Sequence, residues 1–147
     1  DGGVSEGPYR SLNLGFLTED EPDRVIENRT RLASAAGVDP ERVALGRQVH
    51  GAELHEWEGP DHQRVYADPG GKQPPEVDGH LTEVADLALL VFVADCYPVA
   101  LSDGRRVAML HCGWRPLAGG IIAKAAATFD EPPAAALRLR PVGGGDC

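Results

Sequence analysis

The sequence predicts a mixed α/β fold. Three features carry that reading: one amphipathic helix with its own start and stop residues, an unbroken apolar run, and a hairpin closed by Asp103-Gly104. The 147 residues suffice for one domain, 1–147, with a buried core. Aromatic residues make up only 5%, so Val, Leu, Ile and Ala must fill that core, while 18 Gly and 12 Pro favour short elements and many turns.

Gly2 to Gly15 reads as a loop or short strand. A helix is expected from about Asp20, with Pro22 in its first turn and acidic residues around it, as the helix dipole prefers. It should stop at Gly37, before Asp39-Pro40. Val25, Leu32 and Ala36 share one face, and Arg29 falls inside that stripe, either pointing inward or carried to solvent on its aliphatic stem. Val43 to Val49 reads as a strand entering Gln48-Val49-His50-Gly51. Glu58 to Glu76, with its prolines and glycines, reads as a long surface loop.

Leu87 to Ala94 is continuously apolar and predicts a strand buried on both faces. Asp103-Gly104 then predicts a two-residue hairpin turn. That register opposes Ser102 to Arg105, Leu101 to Arg106, Val99 to Ala108 and, further down, Cys96 to His111. Opposed residues have Cβ atoms roughly 4.5–5.5 Å apart, so Cys96 and His111 can share a metal or form a thiolate–imidazolium pair. Pro98 suggests an edge or a bulge beside them. A helix is expected from Pro116 to about Phe129, followed by a Pro- and Gly-rich tail with one apolar stretch, Ala134 to Leu139.

A net charge of −9 without a basic run argues against nucleic-acid binding. The longest apolar run is too short to span a bilayer, so no membrane association is expected. Cys96, Cys112 and Cys147 are odd in number and sparse, which points to a reducing, cytoplasmic compartment rather than a disulfide framework. The start is no signal peptide; without an initiator Met it reads as trimmed. Cys112 should pack, Trp114 should anchor the core, and Arg105 and Arg106 should be solvated. His55, His62 and His80 should lie at the surface. Asp78 and Asp95 are either turn formers or partners that orient a histidine.

Five segments then resemble one family: Gly3-Val4-Ser5 through Ser11-Leu12-Asn13-Leu14-Gly15; Glu27-Asn28-Arg29; Gln48-Val49-His50-Gly51; Ala94-Asp95-Cys96-Tyr97-Pro98; and His111-Cys112-Gly113-Trp114-Arg115. Their order and spacing resemble the YfiH-like family, labelled multicopper polyphenol oxidoreductase or laccase-domain proteins and later treated as purine nucleoside phosphorylases. The resemblance implies mixed β-sheets flanked by helices, a fold also similar to cysteine-hydrolase toxin domains. It implies that His50, Cys96 and His111 ligate one metal, zinc or alternatively copper. The implied activity is phosphorolysis of adenosine, inosine, guanosine and methylthioadenosine, together with adenosine deamination, so the expected partners are a nucleoside and phosphate. Cys112 and Pro116 depart from the family's usual Ala and Gly. The family domain also continues beyond residue 147, so the chain is expected to lack its C-terminal segment; neither the residues nor the resemblance gives an oligomeric state.

Two nitrogens and one sulfur leave a fourth tetrahedral position open, the pattern of a catalytic zinc site. Phosphate needs positive charge, for which Arg115 and the helix start at Pro116, with Arg29 second, are the candidates. Asn13 and Gln48 are candidates for a ribose or base. Multicopper chemistry fits less well, because the five histidines include no His-x-His pair. The competing readings are a cysteine hydrolase acting on amides such as peptidoglycan precursors, with Cys96 as nucleophile and His111 as base, and a non-catalytic remnant.

Overall fold

The computed structural model describes residues 2–60, 64–68, 70 and 73–136. His62, Cys147 and most of the Pro- and Gly-rich tail lie outside the described residues. The chain divides into two compact units. The first comprises Asp1–Leu45, Trp57–Pro74 and Val84–Leu90, and the second Gly46–Glu56, Pro75–Glu83 and Val91–Cys147.

In the first unit, helix α1 spans Pro22–Ala36, with Pro at its start and Gly37 closing it at φ 69°. That left-handed turn is open to glycine without a Cβ penalty. Strand β1 (Val43–Leu45) pairs in parallel with β4 (Ala88–Leu90). Ala33, Val43, Leu45, Val65 and Tyr66 form its buried core. The face α1 buries is Val25, Asn28, Arg29 and Ala33, so Arg29 points inward and Ala36 is exposed. The predicted strand over 43–49 ends at Leu45. The apolar run forms only the short, half-buried β4, and Val91 to Val93 carry no strand.

The second unit carries a five-stranded sheet in the order β2-β3-β6-β5-β7, with β2 at Leu54–Trp57, β3 at Gly79–Thr82, β5 at Tyr97–Ser102, β6 at Val107–Cys112 and β7 at Ala134–Ala136. β6 runs antiparallel to β3 and β5, and β7 antiparallel to β5. β3, like β1 in the first unit and unlike the apolar run, is buried at every position. One of its faces joins the core of Leu81, Leu101, Ala108, Leu110, Cys112, Ile121 and Ala125. The other turns His80 and Thr82 inward, and His80 is 0% exposed rather than a surface residue.

The hairpin forms with a different register. Ser102 opposes Val107 and Leu101 opposes Ala108, so the loop has four residues. Asp103 causes this: its carboxylate accepts the backbone N–H of Arg105 at 2.9 Å and of Arg106 at 2.7 Å, drawing both into the turn.

The helix expected from Pro116 is two helices, α2 (Trp114–Ala118) and α3 (Ile121–Ala126), separated where Gly120 takes φ 76°. α3 buries Ile121 and Ala125, one turn apart, against the sheet. Trp114 is 75% exposed and anchors no core. No helix among the described residues is long and apolar enough to cross a membrane.

Candidate metal centre

Three side chains of the second unit converge. His50 sits in the loop before β2, Cys96 immediately precedes β5, and His111 lies near the end of β6. One donor atom of each lies within 4.8 Å of the other two. The rings of His50 and His111 are 4.9 Å apart, edge to face at 76°. His111 is buried, Cys96 half-buried and His50 exposed, so the cluster meets solvent at His50.

The convergence does not come from direct opposition. In the observed register His111 faces Pro98, and Tyr97 faces Cys112. Continued by one residue, that count sets Cys96 across from Gly113. A Cβ at Gly113 would lie 2.9 Å from Cys96 Sγ and 3.6 Å from His50 Cδ2. The missing side chain at Gly113 is therefore part of the site's shape. Cys112 is buried as expected, and burial pushes its thiol up to about 11. Burial first, and then the neighbouring Asp95, also raise the Cys96 thiol.

Behind the cluster lies Asp78, fully buried. Its Oδ1 is 2.7 Å from His111 Nδ1. The same carboxylate accepts the backbone N–H groups of Val49 (3.0 Å), His50 (3.0 Å) and Gly51 (2.8 Å). Burial would raise this carboxyl, but the bonds from His111 and the three amides outweigh it and hold it below the usual range. Of the two roles that the sequence allows Asp78, turn former or partner of a histidine, the contact with His111 matches the second. Asp95 is exposed, and its Oδ1 lies 3.8 Å from Cys96 Sγ.

Of the other sequence-predicted residues, Gln48, Asn13 and Arg29 bond within the protein and Arg115 is exposed. Gln48, expected to meet a ribose or base, clamps Phe92 in this structure: its Nε2 donates to the Phe92 carbonyl and its Oε1 accepts the Phe92 N–H, both at 2.7 Å. In the first unit, the Asn13 amide donates to Thr18 and Asp20 at 3.0 Å and accepts from Gly15 N at 3.0 Å. Arg29 is 3% exposed and does not reach solvent. It donates to the carbonyls of Leu14, Val65 and Tyr66 and stacks 3.5 Å over the Phe16 ring. Arg115 is exposed, with its guanidinium 5.1 Å from the Trp114 ring centre. It lies inside the five-residue α2 rather than ahead of a long helix, so the expected phosphate seat at a helix start near Pro116 is not formed. Sequence reasoning missed Asn28. Its side chain accepts Val4 N and donates to Ser5 and to the Asn13 carbonyl, tying the N-terminal loop to α1.

The donor set suits a borderline-soft divalent ion. Zinc surrounded by imidazole nitrogens and a thiolate needs donors roughly 3.3–3.6 Å apart, and the three donor atoms here all lie within 4.8 Å of one another.

Residues 1–142 match the protein family described as multi-copper polyphenol oxidoreductase laccase. A Streptomyces coelicolor protein named purine nucleoside phosphorylase SCO2081 is 40% identical over 133 residues, covering 88% of this chain and 51% of that protein. The Shigella flexneri purine nucleoside phosphorylase YfiH is 36% identical over 134 residues, covering 90% of this chain and 51% of that one. Among solved structures, Bacillus licheniformis hypothetical protein YfiH superposes with a TM-score of 0.76 at 30% identity, covering 87% of this chain and 48% of that one. YlmD from Geobacillus stearothermophilus gives 0.73 at 33% identity, covering 86% and 47%. The chain spans about half the length of the curated relatives it matches.

Proposed function

The chain belongs to the multi-copper polyphenol oxidoreductase laccase family, and on that premise we propose that its His50–Cys96–His111 cluster is the zinc centre of a purine nucleoside phosphorylase. The observation that carries this reading is the meeting of two imidazoles and one thiol within 4.8 Å. Copper is the alternative ion for the same set. This is the one group of such side chains found among the described residues, which supports a single metal rather than a multicopper centre.

His50, Cys96 and His111 would hold the ion through two nitrogens and one sulfur, and the ion would supply Lewis-acid chemistry to a bound reactant. In phosphorolysis, a phosphate oxygen bonds to the ribose C1′ while the C1′–base bond breaks, giving ribose 1-phosphate and the free base. Adenosine, inosine, guanosine and methylthioadenosine share that bond. In adenosine deamination, water adds at C6 and ammonia leaves. The solvent-facing His50 side of the cluster supports entry of a small nucleoside. Arg115, exposed four residues after His111, is the cation proposed to meet phosphate. Free, unpaired Cys96 and Cys112 support a reducing, cytoplasmic setting.

The test is phosphate-dependent release of hypoxanthine from inosine, measured with metal content. Activity should vanish with a chelator and return with zinc. Turnover that ignores the chelator, or a folded protein that holds no metal, overturns the reading.

One observation favours a second reading. The Asp78–His111 contact is also how a carboxylate orients a general base beside a thiol nucleophile. A cysteine hydrolase acting on amides would be alkylated irreversibly at Cys96 and would work without metal.

A further inference from the structure

We infer that Asp78 is the positioning residue that sets both histidine donors of the cluster at once. The inference rests on the metal-centre reading and extends it to a residue outside the donor set.

The argument begins with the loop that carries His50. This residue takes φ 59°, a left-handed conformation uncommon for a side chain larger than glycine. In that conformation the N–H groups of Val49, His50 and Gly51 point to one place, a concave seat for an anion. The anion is Asp78: Oδ1 takes the His50 N–H, and Oδ2 takes those of Val49 and Gly51. The bonds hold the His50 backbone in its unusual conformation and so fix where its ring starts.

The same Oδ1 meets His111 Nδ1 at 2.7 Å, and the Asp78 backbone carbonyl accepts the His111 N–H at 2.8 Å. A carboxylate is an acceptor only, so the proton of His111 is fixed on Nδ1, leaving the Nε2 lone pair for the cluster. A carboxylate offers about four acceptor positions, and here four N–H groups use them. Asparagine is therefore not a conservative replacement, because its NH2 would face an N–H wherever it is turned. Two donors 61 positions apart in sequence, 50 and 111, are thus referenced to one buried carboxylate.

The test compares wild type with Asp78→Asn, each shown to be folded by circular dichroism. Zinc affinity is read by competition with a chromophoric chelator, and geometry by the absorption spectrum of the cobalt-loaded protein. The variant should lose about 10–100-fold in zinc affinity, with displaced cobalt bands that a general loss of stability would not produce. Equal affinity and an unchanged spectrum overturn the inference. If Asp78→Asn does not fold, the wild type decides: long-range nitrogen–proton NMR of the metal-free chain should show His111 protonated at Nδ1, and a proton on Nε2 alone overturns the inference. A wild type that binds neither zinc nor cobalt sinks the metal centre instead, and the tautomer still decides the role of Asp78.

Discussion

Gly113 and Cys96 touch so closely that a single added methyl group at position 113 would lie 2.9 Å from the Cys96 sulfur. The backbone there, at φ −77° and ψ 175°, suits any residue. The cost of a Gly113→Ala substitution is therefore steric and falls on the thiol. We expect zinc affinity to fall about tenfold or more while stability changes by no more than about 1–2 kcal/mol. Chelator competition read beside thermal unfolding checks both; unchanged affinity would mean that the sulfur has room to move.

Gln48→Ala removes two 2.7 Å bonds to Phe92, which lies four residues before Cys96. A loss of about 1–2 kcal/mol is expected, lowering the melting temperature by roughly 2–8 °C. A glutamine that instead met substrate would raise KM and leave the melting temperature in place.

Arg29→Met keeps most of the stem but withdraws the guanidinium from three carbonyls and from the Phe16 face. Destabilisation by about 2–4 kcal/mol is expected. Arg29→Lys should not restore it, because a point charge cannot serve spread acceptors as a planar fork does. Burial lowers this group to about 10, so it remains charged at neutral pH. Urea midpoints for the two variants test the assignment.

Burial, helped by the nearby His55 and opposed by Asp78, pushes the His80 imidazole down to about 4 from its ordinary 6.5. Between those values the unfolded chain binds the extra proton and the folded chain does not. Stability contributed by neutral His80 is therefore complete above about pH 6.5, falls as the pH drops toward 4, and levels off below it. The full effect is on the order of 3 kcal/mol. Denaturation of wild type and His80→Gln from pH 7 to 4 should show the wild-type slope flattened in the variant.

Local features were legible wherever one segment carried its own signal. Pro22 and Gly37 bound α1 as read, and Cys112, read as a packing residue, is buried at the end of β6. The hairpin was legible but its register was not, because Asp103 recruits two further residues into the turn. The misreading was by two residues, and strand side chains alternate with period two. Cys96 was therefore placed on the same side as His111 under either count, and the pairing error did not scatter the cluster.

Sequence alone pointed to the mixed α/β class through residue type and spacing and, through its family resemblance, to the three side chains, His50, Cys96 and His111, that the fold brings together. The tertiary structure alone decided which polar side chains are spent inside the protein. His80 and His55 look alike as letters, yet one is sealed in a strand buried on both faces. Gln48 and Asn13 are candidate ligand contacts by sequence, and only the fold shows their amides bonded to Phe92 and to Thr18, Asp20 and Gly15. The physical reason is that a hydrogen-bonding group has few places to bond, and which neighbour fills them is set by residues tens of positions away that only folding brings near.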